Sequence, residues 1–126
     1  MKQVILIGNT GYIGKNLNIA LKNRFNITGF SSKNINQLFK RKDYSGYSLI
    51  HLGQPSSKNY VFQDSDIELV SHLRNLKFDF YLYISSISIS SYDFENKDFK
   101  KNEKLSDYNK LKLVSENTFE SNQTTI

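Results

Sequence analysis

An apolar run, Val4-Ile5-Leu6-Ile7, passes directly into Gly8-Asn9-Thr10-Gly11-Tyr12-Ile13-Gly14. Few features limit a fold so strongly, because these glycines sit where a buried strand must turn into a helix. Ile13, Leu17 and Leu21 then recur at helical spacing, with Lys15, Asn16, Asn18 and Lys22 on the other side. A strand, a glycine-rich turn and an amphipathic helix in that order make a site for a pyrophosphate. Glycines let the backbone approach the ligand, and unpaired N–H groups with the helix dipole favour its negative charge. The spacing is G-x-x-G-x-x-G, not the G-x-G-x-x-G dinucleotide fingerprint. A tight turn without a ligand is the alternative, and the flanking strand and helix favour the site.

The rest of the chain alternates in the same manner. Strand one is expected over Gln3 to Ile7, helix one over Tyr12 to Arg24 and strand two over Asn26 to Phe30. A polar turn, Ser31 to Asn36, precedes a short helical piece at Gln37 to Lys42. Strand three reads Tyr47 to Leu52 and is closed by Gly53-Gln54-Pro55-Ser56-Ser57. Ser65-Asp66-Ile67-Glu68 has the form of a capping box, opening a helix that carries Ile67, Val70 and Leu73. Asp79 to Ser85 reads as a strand buried on both faces, Ser90 to Glu103 as a long polar loop, and Tyr108 to Phe119 as a helix with Leu111, Val114 and Phe119 apolar. Gln123 to Ile126 looks like the start of a further strand. Alternation of this kind predicts a parallel sheet of order 2-1-3-4, strand one central, with ligands beyond the carboxyl ends of the strands. The glycine turn, Gly53, Ser85 and Ser86 all follow strand ends and should meet in one crevice.

At 126 residues the chain is read as one domain. Without cysteine it has no disulfide, thiolate metal site or cysteine nucleophile, and His51 and His72 give no metal-ligand spacing. No apolar run approaches the ~20 residues that span a bilayer, and no signal-peptide layout precedes strand one, so a cytoplasmic location is expected. The formal charge of +5 is spread among carboxylates, as in Lys97 to Lys104 with Glu95, Asp98 and Glu103, which is the pattern of a solvated face rather than a nucleic-acid surface.

A second chemical signal lies in Tyr108-Asn109-Lys110-Leu111-Lys112. Four residues on a helix place Tyr108 and Lys112 on one face. An ammonium beside a phenol favours the phenolate, which fits the tyrosine for general acid–base work near neutrality. An exposed helix face is the alternative, and the Ser-Ser pair and glycine turn upstream weigh against it.

Together these residues resemble the extended short-chain dehydrogenase/reductases, the family of NAD-dependent epimerases and dehydratases that includes nucleotide-sugar epimerases and reductases. GNTGYIGKNL is similar to the cofactor turn, SLIHLG to the strand beside the cofactor, YISSISIS to the strand carrying a catalytic serine, and YNKLKLVSE to the Y-x-x-x-K helix. The resemblance implies a Rossmann-like parallel sheet with helices on both faces, NADP or NAD as cofactor, and a nucleotide-linked sugar as substrate. It implies hydride transfer in which Tyr108 is the general acid/base, Lys112 tunes it and holds the nicotinamide ribose, and Ser86 binds the reacting oxygen. Gly8, Thr10, Gly11 and Gly14 would form the turn under the pyrophosphate, with Tyr12 and Ile13 offering backbone N–H groups. Leu52 and Gly53 would line the adenosine side, and Ser85 would shape the pocket. His51 is read as structural. A homodimer is compatible with the resemblance; no metal, membrane or nucleic-acid partner is expected.

The chain also departs from that pattern. The family's third strand and its helix are missing before SLIHLG, Ser90-Ser91 stands where Tyr-Gly is usual, and Asn59 is out of register for an asparagine that the family places near the next helix. The family continues past the equivalent of Thr124-Thr125-Ile126 into a substrate region, so the resemblance implies a domain truncated at its C-terminus. A dinucleotide-binding module without chemistry is the alternative. Strand two ends in Phe30-Ser31-Ser32-Lys33, with no carboxylate to hold the adenosine ribose, so Ser31, Ser32 and Lys33 point to the 2′-phosphate of NADP over NAD.

Overall fold

The computed structural model describes residues 1–54, 59–85, 92–93, 98–99, 106–119 and 124–125. Strand β1 (Lys2–Ile7) leads into helix α1 (Tyr12–Leu21), β2 (Phe25–Phe30), a 3-10 helix (Ile35–Lys40) and β3 (Tyr47–His51). Helix α2 (Asp64–Arg74), β4 (Phe80–Tyr83), β5 (Tyr92–Asp93), β6 (Asp98–Phe99), α3 (Asp107–Phe119) and β7 (Thr124–Thr125) follow. The main sheet is parallel throughout in the order β2-β1-β3-β4-β7, as the alternating pattern predicts, with the fifth strand present as a two-residue stub.

This is a Rossmann-like sheet with helices on both faces. Strand β1 is buried on each side, since alternate residues serve different cores. Ile5 and Ile7 join Leu38, Leu49, Val70, Leu73, Tyr81, Tyr83 and Phe119 beneath the 3-10 helix, α2 and α3. Val4 and Leu6 join Ile50 beneath α1, where Leu17 and Leu21 pack.

That second core is the smaller, and it corrects two expectations. Ile13 is 60% exposed rather than inward, because buried Gly14 brings the start of α1 down onto the glycine turn. Strand β4 is enclosed on one face and only partly covered on the other: Tyr81 and Tyr83 are buried, Leu82 is half-buried against the second core and Phe80 is 40% exposed.

Other boundaries shift for local reasons. Helix α1 stops at Leu21, where the Lys22 and Arg24 N–H groups close the last turn on Asn18 and Leu21 carbonyls. The helical piece is 3-10 and begins at Ile35, two residues early, because Asn34 Oδ1 accepts from the Ser31 N–H and tightens the preceding turn. The expected capping box at Ser65 does not form: α2 begins at Asp64 behind Gln63, so Ser65 is already inside the helix and Asp64 and Asp66 supply first-turn negative charge. The polar stretch expected as loop contains the β5–β6 antiparallel pair, Tyr92 opposite Phe99, a ladder too short to show in the pattern.

Leu73 on α2 is wholly buried, whereas Ile19 on α1 is 64% exposed. Leu73→Ala should therefore cost about 2–5 kcal/mol in chemical unfolding, and Ile19→Ala no more than about 0.5 kcal/mol.

Candidate functional site

The glycine turn is held by backbone packing. Gly8 has φ +91°, a left-handed conformation that L side chains rarely adopt, and a Cβ there would lie 2.9 Å from the Gly53 nitrogen. A Cβ on Gly14 would collide with the Gly8 carbonyl oxygen. The turn is closed by the Gly8 N–H donating to Phe30 O (2.9 Å) and the Gly11 N–H donating to Gly8 O (3.2 Å). Gly11 caps α1 without a side-chain bond, and the first turn of the helix has no acidic residue. Its leading N–H groups are therefore uncompensated by any carboxylate of the turn, as an anion-binding helix start requires.

Two cavities meet over this turn, and Gly8, Gly11, Leu52 and Gln54 line both. One, of about 410 Å³, opens toward β2 and α2 and includes Thr10, Ser31, Ser32 and Gly53. The other, of about 400 Å³, opens toward β4 and α3 and includes Tyr12, Ile13, Gly14, Ser85, Tyr108 and Lys112. The fold thus brings together all the expected site residues it describes except Lys33, which is exposed and lines neither cavity. Ser86 lies outside the described residues.

Tyr108 and Lys112 share one face of α3, with the Lys112 Nζ 5.6 Å from the centre of the Tyr108 ring. The amine donates to the Ile84 carbonyl at 3.1 Å and lies 5.3 Å from the Tyr83 ring centre. Burial lowers its pKa from 10.5 to about 8, because the charged form loses solvent that one carbonyl and two ring faces only partly replace. The Ser85 hydroxyl donates to Glu116 on α3 at 2.8 Å, so it braces the strand end against the helix.

His51 sits beneath the second cavity, buried between the rings of Tyr83 and Phe119, and neither ring nitrogen has a partner. Burial, and secondarily the Lys112 charge, lower its pKa from 6.5 to about 3, so it stays neutral. Beside it runs a polar chain that sequence reasoning missed. The Tyr83 hydroxyl donates to Gln54 Oε1 at 2.7 Å, and Gln54 Nε2 donates to Ser115 Oγ at 2.8 Å. Asp66 and Leu69 of α2 also enter the first cavity. The available signals were Gln54 directly following Gly53 at a strand end, and Ser115 three residues beyond Lys112 on the same helix face. Among the described residues there is no cluster of His, Cys, Asp and Glu able to hold a metal ion, and no helix long and apolar enough to cross a membrane.

No family model matches the chain, and no curated protein matches it. Solved structures that share its fold include two UDP-sugar 4-epimerases. A UDP-N-acetylglucosamine 4-epimerase from Methanobrevibacter ruminantium M1, in complex with UDP-N-acetylmuramic acid, superposes with TM-score 0.66 at 19% identity over 95% of this chain and 50% of its own. A UDP-glucuronic acid 4-epimerase from Bacillus cereus, in complex with NAD, gives TM-score 0.54 at 17% identity over 98% of this chain and 54% of its own. The chain spans about half the length of each.

Two outcomes follow for this site. Gly14→Ala should destabilise the fold, since its Cβ would collide with the Gly8 carbonyl oxygen; a lowered midpoint of thermal unfolding checks it. Both buried bases make the protein less stable as pH falls, each in its own window. With its folded pKa near 3 against 6.5, His51 costs stability as pH falls through that interval, at roughly 1.4 kcal/mol per pH unit, and His51→Leu should flatten the acid limb of unfolding. Lys112, with about 8 against 10.5, makes the protein gain stability as pH rises between those values, a slope that Lys112→Met should lack.

Proposed function

We propose that this chain is the dinucleotide-binding and proton-transferring part of an NAD(P)-dependent enzyme acting on a nucleotide-linked sugar. The observation that carries this reading is the pair of cavities meeting over the glycine turn, with Tyr108 and Lys112 on the wall of one of them. A dinucleotide has that shape: two halves joined by a pyrophosphate. The turn suits the pyrophosphate, because Gly8 and Gly11 line both cavities with bare backbone and the first turn of α1 carries no acidic residue to oppose an anion. Adenosine then falls beside Ser31, Ser32, Leu52 and Gly53, and nicotinamide beside Ser85, Tyr108 and Lys112.

Bound there, the nicotinamide supplies hydride chemistry. The chain's own part is proton handling and orientation. Tyr108 gives a proton to the sugar oxygen or takes it away, as general acid or base. Lys112, fixed by the Ile84 carbonyl, holds the nicotinamide ribose and lays positive charge against the Tyr108 ring, which favours the phenolate when the amine is protonated. Ser86 binds the reacting oxygen, and Ser85, braced on Glu116, fixes the strand end beneath it. The epimerase neighbours, one in complex with a UDP-sugar and the other with NAD, support this choice of substrate class and cofactor.

A second reading is a dinucleotide-binding module without turnover of its own; the likeness to the neighbours covers about half of each of their chains. One experiment separates the two. NADH and NADPH are titrated by nicotinamide fluorescence, and oxidised cofactor with UDP-sugars is then assayed for epimerisation or reduction. Binding with turnover that falls by about 10²–10⁴ in Tyr108→Phe, at unchanged cofactor affinity, supports the enzyme. Binding without turnover supports the module, and absence of binding overturns both.

A further inference from the structure

We propose that Asp66 selects an unphosphorylated adenosine ribose, so that the cavity on the β2 side takes NAD in preference to NADP; this rests on the dinucleotide reading above. The end of β2 alone points the other way, since Ser31, Ser32 and Lys33 carry no negative charge. The fold redistributes those groups. Lys33 is exposed and outside the cavity, and the Ser31 hydroxyl is drawn into its own turn, 3.4 Å from Asn34 Oδ1 and accepting from the Lys33 N–H at 3.3 Å. No cation remains on the wall of that cavity among the described residues.

Helix α2 supplies the carboxylate that β2 lacks. Asp66 lies in its first turn, half-buried, and lines the cavity together with Leu69 one turn further along the same face. Its position is fixed: Oδ2 accepts from the Tyr60 hydroxyl at 2.6 Å, a short charge-assisted bond. Burial and that bond push the Tyr60 pKa up to about 12, so the tyrosine remains a donor to Asp66. Ile35, Leu52 and Leu69 give the same cavity aliphatic walls suited to a purine. The hydroxyls of an unmodified ribose are donors that a carboxylate can accept from. A 2′-phosphate brings acceptors and negative charge, and meets repulsion from Asp66 with no cation among the described residues lining the cavity to offset it.

The inference is tested on the whole chain by titrating NADH and NADPH against wild type, Asp66→Asn and Tyr60→Phe. Wild type should bind NADH at least about tenfold more tightly, and Asp66→Asn should narrow that ratio to within about threefold, as expected for one charge-assisted bond gained or a repulsion relieved. Tyr60→Phe, which keeps the charge but frees it, should give an intermediate ratio. With wild type alone, 5′-AMP should displace NADH more effectively than 2′,5′-ADP, a measurement that does not depend on any variant folding. Tighter binding of NADPH by wild type, or a ratio unchanged in Asp66→Asn, overturns the inference and leaves the dinucleotide reading standing. Binding of neither cofactor overturns both.

Discussion

Everything in this structure depends on how closely the ends of β1 and β3 approach each other. The Leu52 N–H donates to the Ile7 carbonyl at 2.8 Å, extending the ladder one step past β3, and brings Leu52 and Gly53 against Gly8. That contact leaves no space for a side chain on Gly8, and the Gly8 carbonyl in turn leaves none on Gly14. Three backbone segments are stacked where most proteins would interpose side chains. The start of α1 is therefore held at the carboxyl edge of the sheet, where Gly8 and Gly11 line both cavities. A side chain at either glycine would push the helix away and merge or close those spaces.

The second support is polar and lies under the β4–α3 side. Gln54 joins the loop after β3 to Tyr83 of β4 and Ser115 of α3 through two hydrogen bonds, both with partners that are fully or almost fully buried. Satisfied bonds of this kind fix a geometry, because breaking one leaves a buried polar group without a partner. They set the distance between the glycine turn and the face of α3 that carries Tyr108 and Lys112. Burial of Lys112 against the Ile84 carbonyl and two aromatic rings lowers the affinity of its amine for a proton, a cost that a purely structural lysine on an exposed face would not bear.

Much of the fold was legible because its signals are local. The apolar run before Gly8 and the strand before Gly53 need only periodicity to be read, and alternation of strands with helices implies parallel pairing. The Tyr108–Lys112 pair is fixed by helical spacing. Where the reading failed, helix register, a local turn or close backbone packing outweighed the residue pattern. Ser65 has the right neighbours for a cap, but α2 starts at Asp64. Ile13 has the right spacing to face inward, but Gly14 occupies that position. Lys33 stands where a phosphate-binding cation is expected, but the Ser31–Asn34 turn leaves it outside the cavity.

The sequence by itself determined the strand-turn-helix start, the order of the strands and which helix carries Tyr108 and Lys112, since each follows from residues within one or two turns of chain. Only the tertiary structure decided what surrounds them. Asp66, Gln54 and Ser115 come from separate elements and have no common spacing, so the placing of Asp66 and Gln54 on one cavity, and the bond from Gln54 to Ser115, depend on how α2 and α3 pack on one face of the sheet. Charge and hydrogen bonding act through space over a few ångströms, and distance along the chain does not report that separation.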